Sequence, residues 1–183
     1  MKKDILINVS GDIQLRSWKS EWASDLFKLV QRNREHLLSW LPWIPGVKKV
    51  KDSGKFINDS LKEQKEGKGL EFGVWYKNKL VGCLGIIEFK KEHRRASIGC
   101  WIDSEHQGKG IMSKSLKKVI KYCFKNLGLN RIGYEAATKN KRSLALAERL
   151  GFTKEGIVRE FEFVNNRFLN YVVFSLLKRE WGS

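Results

Sequence analysis

Apolar residues recur at every second position in some stretches of this chain and at every third or fourth in others, which predicts alternating strands and helices. Ile5 to Arg16 is β-rich and broken by Gly11-Asp12, so a hairpin or one bent strand is expected. From about Lys19 the positions Trp22, Leu26, Leu29 and Val30 predict a helix, and Arg34 to Trp40 a second, short one. Prolines 42 and 45 remove N–H donors and restrict the residues before them, so Leu41 to Gly46 reads as a loop. Asp52 or Ser53 is placed to cap a further helix running to about Glu66, where Gly67 and Gly69 stop it.

Leu70 to Tyr76, Leu80 to Phe89 and Arg94 to Ile102 alternate as strands and predict an antiparallel meander. After a glycine turn, Met112, Leu116, Val119, Ile120, Cys123, Phe124 and Leu127 mark a helix with one apolar face and its lysines toward water, ended at Gly128. Arg131 to Thr138 follows as a strand and Lys141 to Leu150 as a helix stopped by Gly151. Phe152 to Phe163 and Phe168 to Leu177 close the chain as a hairpin turning at Asn165-Asn166. The class is α/β.

Composition narrows this further. The 183 residues, 42% hydrophobic and 31% charged with two prolines, suit one globular domain over residues 1–183. The basic start at Met1-Lys2-Lys3 precedes only three consecutive apolar residues, and no later run reaches membrane-spanning length, so a cytoplasmic protein with no membrane partner is expected. Cys83, Cys100 and Cys123 are odd in number and widely spaced, which points to buried, reduced thiols. His36, His93 and His106 lack metal-ligand spacing, so no metal is expected.

Charge then focuses attention on one region. The chain carries a formal +16, and from Gln107 to Arg142 ten Lys and Arg stand against a single acid, Glu135. That excess suits a solvated helix face, a phosphate-bearing small ligand or nucleic acid. The aromatics do not interleave with the lysines as a single-strand platform requires, so nucleic acid is not a required partner. Within the region, Gln107-Gly108-Lys109-Gly110-Ile111 delivers an extended segment to a helix start, where unpaired N–H groups and the helix dipole favour an anion such as a pyrophosphate.

Three ordered blocks now carry a resemblance: Gln107-Gly108-Lys109-Gly110-Ile111, Asn140-Lys141-Arg142-Ser143 and Glu148-Arg149-Leu150-Gly151-Phe152. The early Asn33 to Trp43 stretch adds to them. The chain resembles the GNAT superfamily of acyl-CoA-dependent N-acetyltransferases, and within it the Rim-type group that acts on ribosomal-protein N-termini. The likeness implies the GNAT fold, a mixed central sheet whose two parallel strands splay apart, flanked by helices. It implies acetyl-CoA as cosubstrate and direct attack by a primary amine, with a protein or peptide N-terminus, a ribosomal protein among them, as acceptor and a homodimer as an assembly. A small-molecule amine, an antibiotic or polyamine, is the nearest alternative acceptor. A noncatalytic basic module binding RNA or CoA is the alternative from another class.

The resemblance also implies roles. The backbone of Trp101, Ile102 and Asp103 would pair with the pantetheine arm, and the amides from Gln107 through Gly108, Lys109, Gly110 and Ile111 to Met112 would hold the pyrophosphate. Asn140 would bond the arm or cap its helix, or both, and Lys109, Lys141 or Arg142 would neutralise phosphate. Met112 stands where the family usually has Gly or Ala, and its side chain is expected in the core. The tyrosine that many members use as general acid is replaced by Ala147, which leaves Ser143 as proton donor to the sulfur. Glu162 is the expected base, with Glu160 on the same strand face as fallback. Apart from the resemblance, Trp40 and Trp43, large and apolar beside the loop at Pro42 and Pro45, suit either a wall of the acceptor site or core packing.

Overall fold

A computed structural model describes residues 4–182, so the Met1 to Lys3 start lies outside the described residues. Its strands are β1 (Leu6–Ser10), β2 (Ile13–Ser17), β3 (Leu70–Tyr76), β4 (Lys79–Lys90), β5 (Arg95–Ile102), β6 (Arg131–Ala137), β7 (Thr153–Val164) and β8 (Arg167–Leu177). They form one sheet in the order β1-β2-β3-β4-β5-β6-β8-β7. Neighbours run antiparallel except β5 and β6. Those two pair only through Arg95, Ala96 and Ser97 against Arg131, Ile132 and Gly133, after which the strands part. The splayed parallel pair expected from the family is present.

Helices cover both faces. α4 (Ile111–Lys125) and α5 (Lys141–Arg149) lie on one, and α1 (Ala23–Arg32), the short α2 (Arg34–Leu38) and α3 (Val50–Glu66) on the other. Leu116, Val119, Ile120, Cys123 and Phe124 bury one stripe of α4, while Lys114, Lys117, Lys118, Lys121 and Lys125 stay exposed. Each large apolar side chain so buried contributes about 1.5–3 kcal/mol, which holds α4 rigidly against the sheet. No helix among the described residues is long and apolar enough to cross a membrane.

Two details differ from the sequence reading. α3 starts at Val50 with Lys49 at the N-cap position, so Asp52 caps the helix from within its first turn and Ser53 does not cap it. Asp52 sits in the first turn, and its Oδ2 accepts from the backbone N–H of Lys48 and of Lys49, each at 2.9 Å. The thiols are free as expected, with Cys83 and Cys123 buried, but Cys100 is only partly covered.

Glu71, on β3, is sunk against Gly85, where an added Cβ would lie 2.6 Å from the carboxyl carbon. Burial, reinforced by the nearby Glu63 charge, raises its pKa to about 7. The native state therefore keeps a proton that the unfolded chain releases, so the Glu71 contribution to stability is fully present below the ordinary carboxyl range and is lost as pH rises through about 7. The slope is at most about 1.4 kcal/mol per pH unit. Melting from pH 5 to 8 is expected to show this fall, and Glu71→Gln, a neutral isostere, to flatten it.

Candidate active site

Where β5 and β6 part, a cavity of about 710 Å³ opens through the sheet. Its β5 edge is polarised by the strand's own alternation. Asp103 N–H donates to Val81 O at 2.8 Å, so the backbone groups of Asp103 and Trp101 turn toward β4. Those of Ile102 and Cys100 turn the other way, into the gap. This corrects the expectation of a pairing edge made by Trp101, Ile102 and Asp103, since of the three only Ile102 offers its main chain to the cavity. Trp101 instead lines it with its side chain, and Asp103 is fully buried outside it. The Asp103 carboxylate accepts from Arg32 Nη2 at 2.6 Å and lies 2.9 Å from His106 Nδ1, pinning the segment that leads into the glycine turn.

The turn sits at one end of the cavity. Gly108 and Gly110 adopt φ of 75° and 72°, the left-handed region that a side chain disfavours. Lys114 is the first residue of α4 to bond back, to Gly110 O at 3.0 Å, so the N–H groups of Ile111, Met112 and Ser113 precede the helical ladder. Met112 is buried in the main core, as its place in the apolar stripe required. Gln107 bridges the turn to its surroundings, with Oε1 accepting from Arg142 Nη1 and Nε2 lying 2.9 Å from His36 Nε2. Burial, then the Arg142 charge, lowers the His36 pKa and keeps it a neutral acceptor. Lys109 is exposed and outside the cavity lining. On the expected role of this turn in holding the CoA diphosphate, Gly110→Ala is expected to weaken CoA binding about tenfold, because relieving the about 1–2 kcal/mol that an L residue costs at that φ moves the turn's N–H groups out of place, and calorimetric titration with CoA measures it.

α5 supplies the middle. Asn140 Oδ1 caps the helix by accepting from Ser143 N–H at 3.2 Å, and the Ser143 hydroxyl lies 2.7 Å from that of Tyr134 on β6. The far end is acidic. Glu162 on β7 accepts from the Tyr171 hydroxyl at 2.5 Å, and Glu135 and Glu88 line the same cavity. Burial, then the charges of Glu88 and Glu162, raises the Glu135 pKa. Glu160 is not among the lining residues. A bulge between Val158 and Glu162 sets Glu160 at φ 48°, which breaks the two-residue alternation that would have put both carboxylates on one face. Trp40 packs beside Tyr171 at this end, and Trp43 also lines the cavity, against Trp101 with ring centroids 6.4 Å apart.

A sheet opened at its one parallel pair, with a glycine turn and helix start at one end and a carboxylate at the other, suits a long anionic carrier reaching toward a nucleophile. Residues 12–153 match the acetyltransferase (GNAT) domain family. The chain belongs to the GNAT acetyltransferases. Over 174 residues it is 34% identical to the Bacillus subtilis protein named "Putative ribosomal N-acetyltransferase YdaF", covering 94% of this chain and 95% of that one. Among solved structures it is similar to RimL, a ribosomal L7/L12 alpha-N-protein acetyltransferase in complex with coenzyme A, at 25% identity and a TM-score of 0.92. That match covers 94% of this chain and 98% of RimL. It is also similar to the microcin C7 self-immunity acetyltransferase MccE in complex with acetyl-CoA and AMP, at 28% identity and a TM-score of 0.89, covering 93% and 95%. This GNAT enzyme thus falls with the Rim-type group and draws on acetyl-CoA.

Among the cavity residues not singled out as site residues from the sequence are His36, Glu88, Tyr134, Glu135 and Tyr171. Glu135 carried a signal, as the lone acid in the most basic stretch, set within a mainly apolar strand. Among the described residues no three or more His, Cys, Asp or Glu side chains converge as a metal site.

Proposed function

We propose that this GNAT enzyme transfers the acetyl group of acetyl-CoA to the N-terminal α-amine of a protein, a ribosomal protein by preference, in the cytoplasm. The observation that carries this reading is the continuous passage from the α4 N-terminus, between β5 and β6, to Glu162. The N–H groups of Ile111, Met112 and Ser113, with the positive end of the α4 dipole, suit the diphosphate. Lys141 and Arg142 add positive charge at the same end. The main-chain groups of Cys100 and Ile102 offer the partners that an extended amide chain requires, and Asn140, its Oδ1 used in capping, keeps Nδ2 to donate.

Bound acetyl-CoA supplies a thioester carbonyl open to attack. Glu162 accepts the proton that the amine must lose, and the Tyr171 hydroxyl on its Oε2 leaves Oε1 free for that task. An α-amine, with pKa about 7.7–8.0, needs far less help from a base than a lysine side chain at about 10.4. Ser143 donates to the departing sulfur, for which a weak donor suffices because a thiol has pKa about 8.5. Trp40 and Trp43 shape the entrance for the acceptor.

The joint presence of Glu88, Glu135 and Glu162 favours one second reading, a free polyamine whose further positive charges those carboxylates would hold. Mass spectrometry of candidate ribosomal proteins and of polyamines, each incubated with enzyme and acetyl-CoA, separates the two. Acetylated protein N-termini that vanish with Glu162→Gln support the first reading. Acetylation of polyamines alone overturns it.

A further inference from the structure

The Ser143 hydroxyl has an unusual partner for the first turn of a helix. There a serine ordinarily bonds nearby backbone, but the Ser143 oxygen lies 2.7 Å from the Tyr134 oxygen, which is supplied by β6. Tyr134 is only 3% exposed, and its ring packs against Phe152 at 5.7 Å between centroids, so the phenol is fixed by the core. α5 itself offers no phenol, because Ala147, one turn on from Ser143, is a fully buried methyl. On the reading that Ser143 faces the sulfur of CoA, we propose that Tyr134 is a positioning residue for the leaving group, its phenol O–H aiming the Ser143 hydrogen into the slot.

The direction of the chain follows from its members. Besides Ser143, Tyr134 has Cys100 Sγ nearby, at 3.9 Å. Sulfur is a weak acceptor, so the phenol hydrogen goes to Ser143 Oγ. With that lone pair occupied, the Ser143 hydrogen points away from Tyr134, toward the cavity that both residues line. Cys100 S–H completes the order by donating to the Tyr134 oxygen. Burial pushes the Cys100 thiol up to about 11 and the phenol well above its ordinary value, so both keep their protons across the working range.

Tyr134 therefore gives up no proton. When the carbon–sulfur bond breaks, its electron pair goes to sulfur, while the proton of the amine goes to Glu162. The thiolate meets an O–H dipole already aimed at it, and each bond behind polarises the next. The equilibrium signature is a lowered thiol pKa for bound CoA, the end product of that step.

Coenzyme A labelled with ¹³C at the carbon beside sulfur, titrated by NMR while bound to enzyme, reads that pKa without turnover. Tyr134→Phe, which keeps the ring in the core, is expected to raise it by about 0.5–1 unit, a threefold to tenfold change in thiolate population. Ser143→Ala is expected to raise it at least as far, and the double variant no further than Ser143→Ala alone, because Tyr134 acts through Ser143. Turnover number should fall in step, with the acetyl-CoA KM held. A wild-type pKa in Tyr134→Phe, or additive shifts in the double variant, overturns the role of Tyr134 and leaves that of Ser143 standing. An unshifted pKa in Ser143→Ala overturns the placement of Ser143 itself.

Discussion

Glu162→Gln is expected to lower kcat about 10²- to 10⁴-fold while leaving CoA affinity within about twofold, the usual scale for losing a general base that does not touch the carrier. The side chain lies at the acidic end of the cavity, remote from the glycine turn, and glutamine keeps a carbonyl oxygen to accept from Tyr171. What is lost is the capacity to hold a proton. The deficit should therefore depend on pH. Below the α-amine pKa of about 7.7–8.0 the neutral acceptor falls tenfold per unit, and above it the amine no longer needs a base. Rate profiles of kcat/KM from pH 6 to 9.5 with a peptide acceptor should show the variant closing on the wild type at the alkaline end. Glu135→Gln is the control, since Glu135 has no Tyr171 bond to orient it, and a loss of a few fold is expected. A profile in which Glu135→Gln carries the large loss would move the base from β7 to β6.

The acidic end also resolves a tension in the charge. A chain of formal +16 repels ammonium groups at a distance, yet its acceptor end holds three carboxylates with no ion pair of theirs among the described residues. Close charges inside a cavity outweigh distant, screened ones, since the Debye length is about 8 Å at physiological salt. On the proposed function, the exposed α4 lysines would act on the encounter with an acidic partner, and the cavity on the amine that arrives.

Much of this was legible because local chemistry decides it. The strand and helix periods, the Asn165-Asn166 turn, with φ of 47° and 59°, and the glycine turn follow from residues next to one another. So did the gathering of Glu162, Ser143, Asn140, Trp40 and Trp43 around one cavity, through the family likeness. What failed was set by register. Whether Ile102 or its neighbours Trp101 and Asp103 face the gap depends on which of them pairs with β4, and a two-residue alternation gives no phase until the partner is known. The bulge that separates Glu160 from Glu162 is likewise a property of the β7–β8 pairing. Tyr134 looked like one more apolar strand residue, because only the arrival of α5 above β6 gives its hydroxyl a partner.

The same register makes Gly82 the backbone position on which the slot depends most. It lies on β4 opposite Ile102, and a Cβ built there would stand 2.4 Å from the Trp101 carbonyl oxygen and 3.0 Å from the Ile102 Cα. Both are main-chain atoms, so no side chain can swing aside. β5 must move away from β4, and the space on its other side is the gap toward β6. Gly82→Ala is therefore expected to cost about 1–3 kcal/mol as overpacking, lowering Tm by about 2–10 °C, and to weaken CoA binding about tenfold or more as the gap narrows. Gly99→Ala, on β5 itself and lining the cavity, is the contrast. Its Cβ would meet only Ile87 Cδ1 at 3.6 Å, an ordinary contact, so stability within about 0.5 kcal/mol of wild type is expected. Thermal melts and CoA titration on the two variants test the pair. If Gly82→Ala melts and binds as Gly99→Ala does, β4 does not press on β5 at the mouth of the slot, and the width of the gap must be set from the β6 side.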